Sequence, residues 1–89
     1  MRAVRLSRGF ERDLKLAQKR GLKLGKLWSV VDLIRHDQAL QPRHRPHKLS
    51  GDWVGFWECH IAPDWLLIWS YDGEDVVLAR TGTHSDLFG

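Results

Sequence analysis

The run Trp65-Leu-Leu-Ile-Trp-Ser-Tyr71 constrains the fold more than any other stretch of the chain. Turn signals bound it at both ends, Ala62-Pro63-Asp64 before and Asp72-Gly73 after, so it reads as a strand. Nearly every residue in it is apolar, whichever way the side chains alternate. Such a strand is expected to be central and covered on both faces. Asp72-Gly73 is a hairpin signal, which makes Asp75 to Thr81 its antiparallel neighbour. On the other side, Trp53 to Ile61 reads as a further strand, with Gly55 marking a bulge or a close approach.

The first half follows a different period. Ala3-Val4-Arg5-Leu6 reads as a short strand, and Ser7 as the N-cap of a helix on which Phe10, Leu14 and Ala17 share a face. Gly21 is a natural stop. Leu24, Leu27, Trp28, Val31 and Ile34 then make an apolar stripe on a second helix, over about residues 24–37. Residues 38–52, rich in basic side chains and proline, read as a loop. The order strand, helix, helix, strand, strand, strand predicts a two-layer α+β fold: an antiparallel sheet of about four strands packed against the two N-terminal helices. Residues 1–89 are expected to form a single domain, since a chain this short has no room for a second core.

Charge is divided unevenly. Residues 1–50 carry thirteen Lys and Arg against Glu11, Asp13, Asp32 and Asp37, a net +9; residues 51–89 carry Arg80 alone against seven acidic residues, a net −6. A basic half suits a polyanion such as nucleic acid. No apolar run approaches the length of a membrane span, and the charged start MRAVRLSRGF lacks the apolar centre of a signal peptide. A lone Cys59 cannot close an internal disulfide and suits a reduced, cytoplasmic setting.

Against this frame stand His47, His60, Asp64, Trp65, His84 and Phe88, at turn and strand boundaries. Histidine both gives and takes a proton near neutral pH. Cleavage of RNA by its own 2′-hydroxyl needs those two transfers, with charge stabilisation at the phosphate. His84 follows the third strand of the meander, at a rigid strand end that suits a general acid, or else is a surface histidine. Asp64 can act as a base, can orient an imidazole, or can simply stabilise its turn. Trp65 can stack on a base or fill the core. His47, with Arg43, His44, Arg45 and Lys48, makes either a phosphate-binding arm or a solvated loop. Phe88 is either a lid or a plug for the sheet edge. Trp28, Trp53, Trp57 and Trp69 read as core or rim packing, and His36 as a surface residue near a helix end. A metal hydrolase built on His44, His47, His60 and Asp64 lacks a recognised ligand spacing.

The string Leu49-Ser-Gly-Asp-Trp-Val-Gly-Phe-Trp-Glu-Cys-His-Ile-Ala-Pro-Asp-Trp-Leu-Leu-Ile-Trp, the ending Arg-Thr-Gly-Thr-His-Ser-Asp-Leu-Phe-Gly, and Lys15-Leu-Ala-Gln-Lys-Arg20 together resemble the YafQ branch of the RelE/ParE toxin superfamily. The likeness runs from about Arg5 to Gly89. It implies a RelE-like fold and an mRNA interferase toxin of a type II toxin–antitoxin pair, cutting mRNA in the ribosomal A site without a metal or other cofactor. It implies His84 as general acid, Asp64 as base, and His47 and His60 steadying the phosphate. Trp65 and Phe88 would be the aromatics that hold the substrate and Arg80 a supporting arginine; the basic loop departs from the family, so Arg43, Arg45 and Lys48 are expected to bind substrate on their own chemistry and not by the resemblance. The partners implied are mRNA, the ribosome with its 16S rRNA, and a DNA-binding antitoxin of the DinJ/RelB kind. Relatives commonly carry arginine or another polar residue at the position of Trp57, which raises the prospect of altered RNA contacts. The competing expectation is a non-catalytic binding module on the same fold, a ParE-like inhibitor or an antitoxin ligand.

Overall fold

The computed structural model describes residues 1–89. Strand β1 (Val4–Leu6) leads into α1 (Arg8–Lys19) and α2 (Leu24–Arg35). A 3-10 turn (Pro42–His44), β2 (His47–Lys48) and a second 3-10 turn (Gly51–Trp53) follow. The meander β3 (Trp57–Ala62), β4 (Trp65–Asp72) and β5 (Asp75–Gly82) then ends in a short helix, α3 (His84–Phe88).

The α+β architecture agrees with the sequence reading, but the sheet has five strands in the order β1-β5-β4-β3-β2, and it is mixed. β1 runs parallel to β5, Val4 beside Val76 and Leu6 beside Leu78. β2 adds an edge of two residues, His47 opposite Glu58 and Lys48 opposite Trp57. Two residues cannot display an alternation, so nothing in the sequence separates this edge from the loop around it. The strand expected from Trp53 begins only at Trp57, because Gly51–Trp53 winds into a 3-10 turn. Gly55 is neither a bulge nor a close approach: it takes φ of 92°, and a Cβ there would meet nothing within 4 Å. Its glycine serves the backbone conformation.

Helix α1 starts as its sequence indicates. The Ser7 hydroxyl oxygen accepts from the Phe10 amide at 3.0 Å and donates to the Ala79 carbonyl at 2.7 Å, capping the helix and pinning it to β5. At the far end Gly21 takes φ of 75°, and the Leu22 amide donates back to the Ala17 carbonyl. Phe10 from α1 and Leu27, Val30, Val31 and Ile34 from α2 meet Cys59, Ile61, Trp65, Leu67, Trp69, Val76 and Leu78 of the sheet in one core. Trp28 lies at the margin of the stripe, edge-on to Phe10 at 6.2 Å and partly exposed.

The alternate residues of β4, Leu66 and Ile68, are also fully buried though they lie outside that core. The central strand is therefore covered on both faces, as its composition requires. An extra residue at Ala79 shifts the phase of β5, so the core-side role passes from Leu78 to Thr81. Arg80 sits beyond the end of β1 and reaches α1. Its guanidinium donates to Asp13 at 2.6 and 3.1 Å, and the Thr81 amide donates to the same carboxylate at 3.0 Å. This clasp fixes the end of β5 just before α3. No helix is long and apolar enough to cross a membrane.

Candidate active site

The β3–β4 turn and the start of α3 come together at the end of β5. Thr83 caps α3: its hydroxyl accepts from the Asp86 amide at 3.1 Å, and the Asp86 carboxylate accepts from the Thr83 amide at 3.0 Å. The same carboxylate takes two hydrogen bonds from Arg20 at 2.6 and 3.2 Å, tying α3 to the end of α1. Arg20, then the Thr83 amide, hold the Asp86 carboxyl well below the usual carboxylate range. A helix of five residues is thus fixed at both its cap and its side, which presents His84 on a rigid mount.

His84 and Asp64 are joined twice. One carboxylate oxygen of Asp64, Oδ1, accepts from the His84 backbone N–H at 3.1 Å and lies 3.2 Å from His84 Nδ1. The contact makes Nδ1 the donor, which leaves Nε2 facing outward for proton transfer. The His84 amide bond, then its side-chain bond, hold Asp64 below the ordinary carboxylate range. Asp64 is therefore ionised at neutral pH and a weak base, and its link to His84 opens only as pH falls through the acid range. Of the roles open to Asp64, orienting His84 is the one this geometry favours.

His60 projects from β3 beside His84, with ring centroids 5.9 Å apart. A bulge at Ile61 interrupts the β3–β4 ladder immediately after it. His47 stands one strand further out. Its Nε2 is 3.3 Å from Glu58 Oε1 and its Nδ1 3.0 Å from the Arg45 carbonyl. Glu58 and His60, two apart on β3, share a face. Glu58 is a rim residue that the sequence alone does not single out. It is only 4% exposed and its second oxygen has no partner. Alternation along the strand after Trp57 was the available signal, since it places a carboxylate on the same face as His60. The three imidazoles therefore line one rim, His47 beside Glu58 and His60 beside His84.

The aromatic residues divide differently from expectation. Trp65 is 4% exposed in the helix-side core, where its Nε1–H donates to the Thr81 hydroxyl at 2.9 Å; that hydroxyl donates to the Leu66 carbonyl at 2.6 Å. Its ring has no free face, so the expected stacking on a base is corrected to a packing role. Phe88 is 45% exposed, with its ring 6.4 Å from His84 and 6.1 Å from Trp53, which in turn meets Phe56 at 5.3 Å. Rings thus run unbroken from His60 through His84, Phe88 and Trp53 to Phe56. Trp53, read as packing, belongs to this ribbon.

The basic residues also separate. Arg43 and Arg45 line a cleft beside His60. Lys48 does not join them: successive strand residues point to opposite faces, and its ammonium lies over Trp57, 5.4 Å from the ring, away from His47. Arg80 is engaged by Asp13 and supports the site without facing it. Cys59 is sealed in the core, where burial, with the charge of Glu58, pushes its thiol up to about 12, far from a reactive thiolate.

The sequence pattern described as "Bacterial toxin of type II toxin-antitoxin system, YafQ" matches residues 2–89. The chain belongs to the YafQ family. It is 37% identical to the mRNA interferase toxin YafQ of Escherichia coli K12, over 99% of this chain and 97% of that protein. Its structure is similar to YafQ in the E. coli DinJ-YafQ toxin-antitoxin complex, with a TM-score of 0.89 and 36% identity over 99% of this chain and 98% of that one. It is similar also to a metal-bound toxin from Helicobacter pylori, with a TM-score of 0.93 and 37% identity over 99% of this chain and 100% of that one. In the present YafQ-family chain no three His, Cys, Asp or Glu side chains are grouped so that they could hold one ion. Trp57 stacks on Trp69, with centroids 6.2 Å apart and planes 16° from parallel. Trp57 thereby extends the helix-side packing.

Proposed function

We propose that this chain is an endoribonuclease toxin that cuts mRNA in the ribosomal A site by metal-independent acid–base catalysis, with the ribose 2′-hydroxyl as nucleophile. The observation that carries the reading is the pair of imidazoles of His60 and His84 on one rim, with Asp64 holding His84 by its amide and its ring. In this reading the 2′-oxygen bonds to phosphorus as its proton passes to His60. The bond from phosphorus to the 5′-oxygen breaks as His84 Nε2 protonates that oxygen. The products are a 2′,3′-cyclic phosphate and a 5′-hydroxyl. His47, 3.3 Å from the buried Glu58 side chain, faces the negative phosphate oxygens. Phe88, backed by Trp53, stacks on a base, an interaction worth about 1–3 kcal/mol per base. Arg43 and Arg45 receive the backbone.

Family membership supports a cytoplasmic toxin with a cognate DNA-binding antitoxin as partner, as DinJ is for the E. coli protein. The ribosome and its 16S rRNA complete the assembly in which cutting occurs. Adding purified protein to ribosomes programmed with a defined mRNA, and mapping the 5′ ends released, tests the activity; intact mRNA would contradict it.

The assignment of Asp64 is separable. Asn at this position keeps an oxygen that accepts both bonds from His84 but loses the charge. Asp64→Asn is expected to slow cutting by roughly 10–10²-fold, because His84 stays placed while its protonated form loses support. A loss as deep as that of the Asp64→Ala variant, in single-turnover cutting on ribosomes, would return Asp64 to the role of base.

A further inference from the structure

One group of polar residues near the rim has no part in the acid–base step. Lys26 projects from α2, far in sequence from the histidines, and lines two adjoining cavities. The larger, about 440 Å³, runs between Lys26, Arg43 and Arg45 to His60. The smaller, about 280 Å³, shares Lys26, Arg43 and Ile61 and has His44 in its wall. None of the three cations has a carboxylate within 4.0 Å, whereas Arg2, Arg5, Arg20 and Arg80 all do. His44 is 5% exposed, and its Nδ1 has no hydrogen-bond partner. Burial, then the charge of Arg43, lowers the His44 imidazole below its ordinary value, so the ring is neutral and offers one N–H.

The two cavities form a cradle with unpaired positive charge on its walls, the buried His44 ring behind the smaller one and His60 at the open end of the larger. The 3-10 turn Pro42–His44 builds it: the turn buries His44 and leaves Arg43 and Arg45 on either side, Arg45 held in the left-handed region at φ of 46°. Arginine forks and a lysine point charge are the groups that bind phosphate oxygens.

We infer that Lys26, Arg43 and Arg45 form a second phosphate subsite, which holds the phosphodiester next to the one being cut. The inference rests on the proposed RNA cutting and gives the strand its course. The sugar–phosphate backbone passes from the cradle to His60, and the bases lie along the ribbon of rings that leaves His84 on the other side. The occupant is a phosphodiester of the mRNA; one of ribosomal RNA would share its chemistry and is separated by the test.

The test uses Lys26→Gln in the full chain, a change at an exposed helix position away from the core. On ribosomes programmed with mRNA, kcat/KM is expected to fall about tenfold, through KM, with kcat near the parent value, and Lys26→Arg to restore most of the loss. Replacing the phosphates that flank the cut by methylphosphonates, one at a time, should bring the parent down to the variant at one position while leaving the variant unchanged there. A Lys26→Gln deficit that stays the same on every modified mRNA assigns the phosphate to ribosomal RNA and overturns the inference. An unchanged kcat/KM overturns it as well. A parent that cuts nothing sinks the proposed reaction instead, and the subsite is then read from binding. The salt dependence of binding to programmed ribosomes should lose about 0.7 of a unit in log–log slope in Lys26→Gln, as for one single-strand phosphate contact. An unaltered slope overturns the subsite.

Discussion

His84→Ala is expected to slow mRNA cutting by roughly 10²–10⁴-fold, the usual share of one positioned proton transfer, while leaving the fold in place. The structural half of this expectation follows from how His84 is attached. Its side chain is exposed, and its backbone N–H, which an alanine keeps, still donates to Asp64. Helix α3 stays capped by Thr83 and tied by Asp86 to Arg20, neither of which depends on the imidazole. An exposed substitution away from such features changes stability by no more than about 0.5 kcal/mol. The rate loss should therefore appear with an unchanged urea midpoint. Single-turnover cutting on ribosomes, with a denaturation curve on the same preparation, checks both halves. A variant that cuts at the parent rate removes His84 from the chemistry.

Trp65→Ala should fail in the opposite manner, by unfolding. The ring lies in the core with Leu67, Trp69 and Ile61, and its N–H is part of a chain through Thr81 to the Leu66 carbonyl. Truncating a buried tryptophan costs about 3–5 kcal/mol. A domain of this size holds only about 5–15 kcal/mol in all, so much of the population would be unfolded or near it. Trp65→Phe fills most of the space but leaves the Thr81 hydroxyl without its donor, and should cost about 1–2 kcal/mol. Urea denaturation measures both. If Trp65→Ala keeps the parent midpoint and raises KM instead, the ring meets RNA after all and the packing assignment is wrong.

That contrast shows what the sequence made legible. Periodicity exposed α1 and α2, and composition exposed β4 as a strand covered on both faces, because each burial demand leaves a repeated pattern. The two-residue β2 and the five-residue α3 leave none; they exist because tertiary partners, Glu58 and Trp57 for the one and Arg20 and Asp64 for the other, complete them. The parallel pairing of β1 with β5 depends on where the helices return the chain, which no local signal records. At the site, residue type pointed to His47, His60, Asp64 and His84, and all four lie along one rim. Residue type could not tell which of two aromatics faces inward. Trp65 and Phe88 differ by burial alone, and Trp65 starts a strand whose odd positions face the helices. Glu58 went unseen for the same reason in reverse: a carboxylate next to a tryptophan looks like surface until the ladder sets it behind His47. Lys48 was grouped with Arg43 and Arg45 by proximity in the chain, yet a strand sends it to the other face.

In the proposed reaction the 2′-hydroxyl is the attacking group, driven by imidazoles. A single 2′-deoxynucleotide placed at the cut position of an otherwise ribose mRNA, bound in programmed ribosomes, tests this most directly. The account predicts that the substituted mRNA survives at that position, while the all-ribose control is cut to a 2′,3′-cyclic phosphate and a 5′-hydroxyl. Cutting of the deoxy-substituted mRNA at the control rate would mean that water is the nucleophile, and would contradict the mechanism.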